Sequence, residues 1–206
     1  PNVWLTPLKK AVIGDDGCMR LGYWQGNDAL KGGRIEIDLA GSETVYPSGD
    51  RDGWELGPVG ITADEPHRGG VILLGNSFDT ERGFIFEGRM RIDPAPKHWG
   101  GIGFLLNHEG GGGTGIMAET RKITETGPIK DPGAGVFTPD DAADFGITPS
   151  EPHSFRLFMR MSMAELYIDD LLIKCLSLPA RSSGRIGFIF ESGRARFGDL
   201  AAWEMK

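Results

Sequence analysis

Two carboxylates, Glu36 and Asp38, stand two residues apart in Glu36-Ile37-Asp38-Leu39. On an extended strand alternate side chains share a face, so both would look into one cleft. A carboxylate pair in a cleft can divide the work of glycoside hydrolysis, one group protonating the leaving oxygen while the other attacks or activates water. The plainer alternative is the solvent face of an ordinary strand.

A second set of residues suits recognition better than catalysis. Sugar rings offer apolar C–H faces to aromatic rings, and hydroxyls to charged partners such as Arg and Glu. Trp24, Trp54 and Trp99 sit beside Gly or polar residues, unlike Trp203, which lies within apolar alternation. His98-Trp99 directly precedes a strand start, where a loop can hold a ring over a groove. Glu87, Arg89 and Arg91 on one strand, with Glu119 and Arg121 on a later one, are expected to line the exposed face of one sheet. The carbohydrate-binding candidates are therefore Trp99, His98, Glu87, Arg89, Glu119 and Arg121. The competing reading of the charged members is a ladder of surface salt bridges.

Other chemistry is thin. His67, His98, His108 and His153 lack the paired spacing of a zinc site, and His153 reads as a strand-entry residue. Cys18 and Cys175 are too few for a disulfide framework and too far apart in sequence for a zinc-type pair, so both are expected to be buried apolar residues. The Gly-rich run at 109–114 is a loop without the Gly-Lys-Ser/Thr of a phosphate cradle.

The elements that must position these residues are strands. Period-two alternation runs through His153-Ser154-Phe155-Arg156-Leu157-Phe158-Met159-Arg160, through 164–173, through 184–190 and through 195–203. Phe155, Leu157, Met159 and Met161 are expected to face one way, with Arg156, Phe158 and Arg160 facing the other. Asp169-Asp170 reads as a tight hairpin turn. The strongest alternation is 84–92, with Phe84, Phe86, Met90 and Ile92 inward and Glu87, Arg89 and Arg91 outward. Further strands are expected at 3–5, 10–13, 18–24, 34–39, 71–74 and 101–106. Residues 42–66 and 126–152, rich in Gly, Pro and acids, read as long surface connections, with one helical turn at 140–145. About a dozen strands and no long helix predict an all-β fold of two packed antiparallel sheets.

The closing strands, with their Asp hairpin, the Gly184-Arg185-Ile186-Gly187-Phe188 strand and a final strand ending near Trp203, resemble concanavalin A-like (laminin G or jelly-roll) β-sandwiches. That resemblance implies a carbohydrate-linked role and the occasional structural calcium, for which Asp79, Asp93, Asp199 and the Asp140-Asp141 pair are conceivable ligands without forming a spaced motif. One glucanase family of this fold carries Glu-x-Asp-x-x-Glu on a strand. Glu36 and Asp38 match its nucleophile and helper, Gly41 replaces its proton donor, and Glu43 is out of register. Leu166-Tyr167-Ile168-Asp169-Asp170-Leu171-Leu172-Ile173, Leu176-Ser177-Leu178-Pro179 and Leu21-Gly22-Tyr23-Trp24-Gln25-Gly26-Asn27-Asp28-Ala29-Leu30-Lys31-Gly32 are similar to the sandwich domain that follows the propeller in glycoside hydrolase family 32 and its fructan-hydrolase relatives. Those sandwiches commonly have Asp-Gly at the hairpin, where this chain has Asp169-Asp170. The propeller's catalytic motifs are missing: Arg51-Asp52-Gly53 and Lys174-Cys175 lack the defining residues.

Composition fits one sandwich over 1–206, with 1–66 as N-terminal strands and a long connecting segment. The 32 glycines and 13 prolines are spread along the chain, as many turns require. With 22 basic and 29 acidic residues the net charge is -7, which argues against nucleic acid and anionic membranes as partners. No apolar run approaches the roughly 20 residues that span a bilayer. Pro1 is not an initiator Met, so the chain reads as a processed or excised form; a secreted or periplasmic location is favoured. The expected role is a carbohydrate-associated module, binding oligo- or polysaccharide or bracing a catalytic domain of its parent. Alternatives are a glycan-cleaving enzyme in its own right and a structural interaction domain.

Overall fold

The computed structural model describes residues 6–46, 53–58, 60–108, 112–129 and 137–206, with the side chains of 65–68 and 107–108 outside that description. The expected strand at 3–5, residues 51–52, the loop at 109–111 and the side chains of His67 and His108 lie outside it. The strands are β1 (Lys9–Ile13), β2 (Met19–Tyr23), β3 (Lys31–Ile35), β4 (Glu43–Tyr46), β5 (Trp54–Gly57), β6 (Gly60–Asp79), β7 (Phe84–Pro94), β8 (Gly101–His108), β9 (Gly113–Glu119), β10 (Thr124–Ile129), β11 (Asp141–Ala143), β12 (His153–Arg160), β13 (Met163–Ile168), β14 (Leu171–Ser177) and β15 (Ser183–Met205). A 3-10 helix, Gln25–Leu30, joins β2 to β3.

All pairings are antiparallel, and two long strands pass through both layers of the sandwich. The C-terminal part of β15 pairs with β7 in the first layer, beside β12, β13, β14, β2 and β1. Its N-terminal part pairs with β8 in the second layer, beside β9, β10 and β11. β6 follows β15 along both parts. The crossing point is a register shift between Glu191 and Gly193, where Ser192 and Gly193 have φ of 59° and 146°. A Cβ on Gly193 would lie 2.3 Å from the Asp93 carbonyl oxygen, so the corner requires glycine.

Alternation decides what fills the space between the layers. Phe84, Phe86, Met90 and Ile92 of β7 and Ile102, Phe104 and Leu106 of β8 point inward with Phe188, Phe190 and Phe197 of β15. Phe188 and Phe197 stack at 4.0 Å between centroids, and Phe104 meets Phe155 edge-on at 4.8 Å. The Asp169-Asp170 hairpin is a mirror-type turn, with φ of 48° and 62°. Asp tolerates this region because its short side chain can bond locally. Asp169 Oδ1 accepts the Ser154 N–H at 2.8 Å, and Oδ2 accepts from His153 Nδ1 at 2.5 Å.

The all-β sandwich expected from the sequence is the observed fold. Several boundaries differ. The 42–66 connection contains β4, β5 and the start of β6, and 126–152 contains the end of β10 and β11. Residues 141–143 are a strand because they pair with β10, which displaces the expected helical turn. The two closing runs are one strand of 23 residues. Met161 leaves the β12 pattern in a turn at φ 56°. Cys18 and Cys175 are exposed rather than buried.

Candidate functional site

The outward positions of the second layer line up in rows. Glu119 on β9 stands opposite Gly101 on β8, Gly101 opposite Glu191 on β15, and Glu191 opposite Gly69 on β6. The next row runs from Glu125 on β10 through Met117, Gly103 and Ile189 to Val71. Gly69 leaves a furrow beside these larger side chains, whereas Gly101 and Gly103 are buried and the Met117 side chain lies over Gly101. The furrow opens into a groove of about 650 Å³ lined by His98, Trp99, Arg121, Glu125, Glu191 and the apolar face of Val71, Met117 and Ile189. Pockets of this size suit small ligands.

Trp99 is held at the mouth by backbone pairing. The Thr120 N–H donates to the Gly100 carbonyl at 2.9 Å, and the Gly100 N–H donates to Thr120 Oγ1 at 3.0 Å. This ties the loop before β8 to the turn after β9 and brings Arg121 over the Trp99 ring, 4.0 Å from its centroid. Arg121 Nε and Nη2 donate to Glu119 Oε2 at 2.6 and 2.5 Å. The Glu119 side chain has no exposure, and no donor reaches its Oε1. Burial pushes the Glu119 carboxyl up to about 7, against the pull of Arg121 and with the help of the facing Glu125 carboxyl. Burial also raises Glu191, with Arg121 opposing and Glu125 adding to the shift.

The sequence candidates thus divide. His98, Trp99, Glu119 and Arg121 gather at this groove. Glu87 and Arg89 do not: β7 belongs to the first layer, so they sit on a different outer face, and the expectation of one shared surface is corrected. Glu87 accepts from Lys31 Nζ at 2.9 Å and Arg156 Nε at 2.5 Å, while Arg156 lies 3.7 Å over the Tyr23 ring. This is a structural ion network over a packed cluster of Tyr23, Ile85, Phe158 and Tyr167. Arg89 pairs at 3.6 Å with Asp199, both exposed. Trp54 is a core residue, edge-on to Phe190 at 5.2 Å, and Trp24 is exposed on the first layer's side.

Glu36 and Asp38 do not form the expected strand pair, because β3 ends at Ile35. Ile37 and Leu39 turn onto the core. Asp38 Oδ1 closes a turn by accepting the Gly41 N–H at 2.7 Å, and Asn76 clamps the segment through the Asp38 N–H and the Glu36 carbonyl. Among the described residues no group of His, Cys, Asp or Glu gathers as a metal cluster. Four of the Asp side chains considered for calcium are engaged elsewhere: Asp79 caps the Arg82 N–H, Asp93 pairs with Arg91, Asp141 with Lys174 and Asp199 with Arg89.

Glu125 and Glu191 were not among the sequence candidates. Glu191 continues the outward positions of Gly187 and Ile189, and that two-residue extension was the available signal. Glu125 had none, since its place depends on the pairing of β10 with β9.

No family model matches the chain, and no curated protein sequence does. Solved structures do. The carbohydrate-binding module CBM66 from Bacillus subtilis superposes with a TM-score of 0.62 at 15% identity, covering 82% of this chain and 98% of that one. The Emp46p carbohydrate recognition domain in its metal-free form gives 0.55 at 14% identity over 82% and 98%. A candidate glycosyl hydrolase from Parabacteroides distasonis gives 0.54 at 12% identity over 89% and 98%. At these identities the likeness defines the fold: an antiparallel jelly-roll sandwich of the kind found in carbohydrate-binding modules.

Proposed function

We propose that this chain is a carbohydrate-binding module whose sugar site is the groove around Trp99, Arg121, Glu125 and Glu191. The observation that carries the reading is the half-buried Trp99, braced by Arg121 at the mouth of a groove lined by Gly69, Gly70 and the carboxylates of Glu125 and Glu191. A sugar edge on the furrow would donate hydroxyl hydrogens to those carboxylates while its C–H face meets apolar side chains. Structural neighbours whose names describe carbohydrate binding support the same reading. The sequence resemblance to sandwiches of the fructan-hydrolase clan extends it to a fructan or other plant glycan, bound beside a catalytic domain of a parent protein.

One observation favours hydrolysis as a second reading. Glu119, raised to about 7, and Glu191 project from the same face of strands two places apart, a pairing of a raised acid with a second carboxylate. Glu119 is fully buried and gripped by Arg121, which suits support of the site better than proton delivery. Affinity electrophoresis in inulin, levan, arabinan, xylan and β-glucan gels, with reducing-sugar release measured on the same samples, separates the readings. Retardation without release is the expected result. Release would establish an enzyme, and the absence of both retardation and release would refute the sugar site.

A further inference from the structure

We infer that the groove selects uncharged, hydroxyl-rich glycans and rejects glycans bearing carboxylates, with Glu125 and Glu191 as the selecting residues. This rests on the sugar-binding reading above and adds the class of ligand to it.

The charges that face the furrow come from each element packed around it. β10 supplies Glu125, β15 supplies Glu191, the turn after β9 supplies Arg121, and the loop before β8 supplies the exposed His98, while Glu119 of β9 is fully buried and bound to Arg121. Arg121 is the one Arg or Lys in the described lining, and it is committed. Two of its nitrogens donate to Glu119 Oε2, and its flat face lies on Trp99. Glu191 has no direct salt bridge among the described residues. Glu119 Oε1 is buried without a donor and faces the Glu125 carboxyl. The furrow is therefore rich in acceptors and short of donors. A hydroxyl brings a donor to such a site, whereas a carboxylate brings only acceptors and another negative charge. Burial that already penalises ionised Glu119 and Glu191 penalises a further anion in the same place.

The whole chain carries a net charge of -7, so repulsion from the furrow must be separated from repulsion by the surface. The test uses inulin, levan and β-glucan, each also after oxidation of its primary alcohols to carboxylates, titrated against three proteins. These are the wild type, a Glu125→Gln/Glu191→Gln variant and a control variant, Glu81→Gln/Asp15→Asn, which removes two exposed charges outside the groove lining. Thermal melting confirms that each is folded, with single Glu191→Gln as a substitute should the double variant melt early. The expected result is at least tenfold weaker wild-type binding to the oxidised form of any glycan it binds. That gap should narrow below threefold in the groove variant and persist in the control. Equal or tighter wild-type binding of the oxidised form would overturn the charge selection while leaving the sugar site standing. So would equal narrowing in the control, or an unchanged gap in the groove variant. Binding of none of the six polymers would refute the sugar-binding reading itself and this inference with it.

Discussion

Glu119 concentrates the residue-scale logic of the groove. Its carboxyl rises because burial disfavours the charged form; Arg121 opposes the rise, and the facing Glu125 adds a smaller push upward. A carboxyl raised from 4.5 to about 7 on folding binds more protons in the native state across that interval. Stability must then fall as pH rises from about 4.5 to about 7 and level off above it, and Glu191 contributes in the same direction. Denaturant unfolding from pH 4 to 8 should show this decline in the wild type and a flatter profile in Glu119→Gln. Trp99→Ala should weaken binding of the recognised glycan by about thirtyfold or more, the scale of about 2 kcal/mol for losing an aromatic anchor, as read by titration calorimetry. Trp99 is legible as an aromatic before a strand start, and Glu119 and Arg121 as charged residues expected on one strand, although β9 ends at Glu119 and Arg121 lies in the turn after it. Glu125 and Glu191 are not legible, because strand register puts them in the site.

Elements were easier to read than their partners. The alternation of β7, β8, β12 and β13 survives nearly residue for residue because each has one face in the core. β4, β5, β10 and β11 carry no clear strand signal because they are short or interrupted by Gly and Pro, and pairing with their neighbours makes them strands. The hairpin between β13 and β14 depends on Asp169, which satisfies the Ser154 N–H and His153 from a left-handed backbone position. Asp169→Ala should cost about 1–3 kcal/mol in denaturant unfolding, since it orphans those donors and keeps the strained φ. Gly101 plays a different part on β8. A Cβ there would meet Met117 Sδ at 2.7 Å, at the flexible end of that side chain. Gly101→Ala should therefore fold, with Met117 displaced along the furrow, and lose glycan affinity severalfold in gel retardation.

At the scale of the molecule, the two layers turn different outer faces to solvent, and this explains why sequence candidates of similar character have different fates. Glu87 and Arg156 brace the first layer, where Tyr23 and the 3-10 helix cover an apolar cluster. The outer face of the second layer is open beside Gly69 and Gly70, with Trp99 at its edge and the Met117 side chain lying over Gly101. Single-sequence periodicity assigns residues to inside or outside, but it does not say which outside, because that depends on strand order. A second groove on the first layer, lined by Leu8, Trp24, Phe158 and Met163, supplies the natural contrast. Sugar should bind at the groove around Trp99, and amide and indole chemical-shift mapping with the glycan that retards the protein locates it. The expected result is that shifts concentrate at Gly69, Trp99, Gly101, Gly103, Glu125 and Glu191. Shifts confined to Leu8, Trp24 and Met163, or to Glu87 and Arg89, would contradict the account.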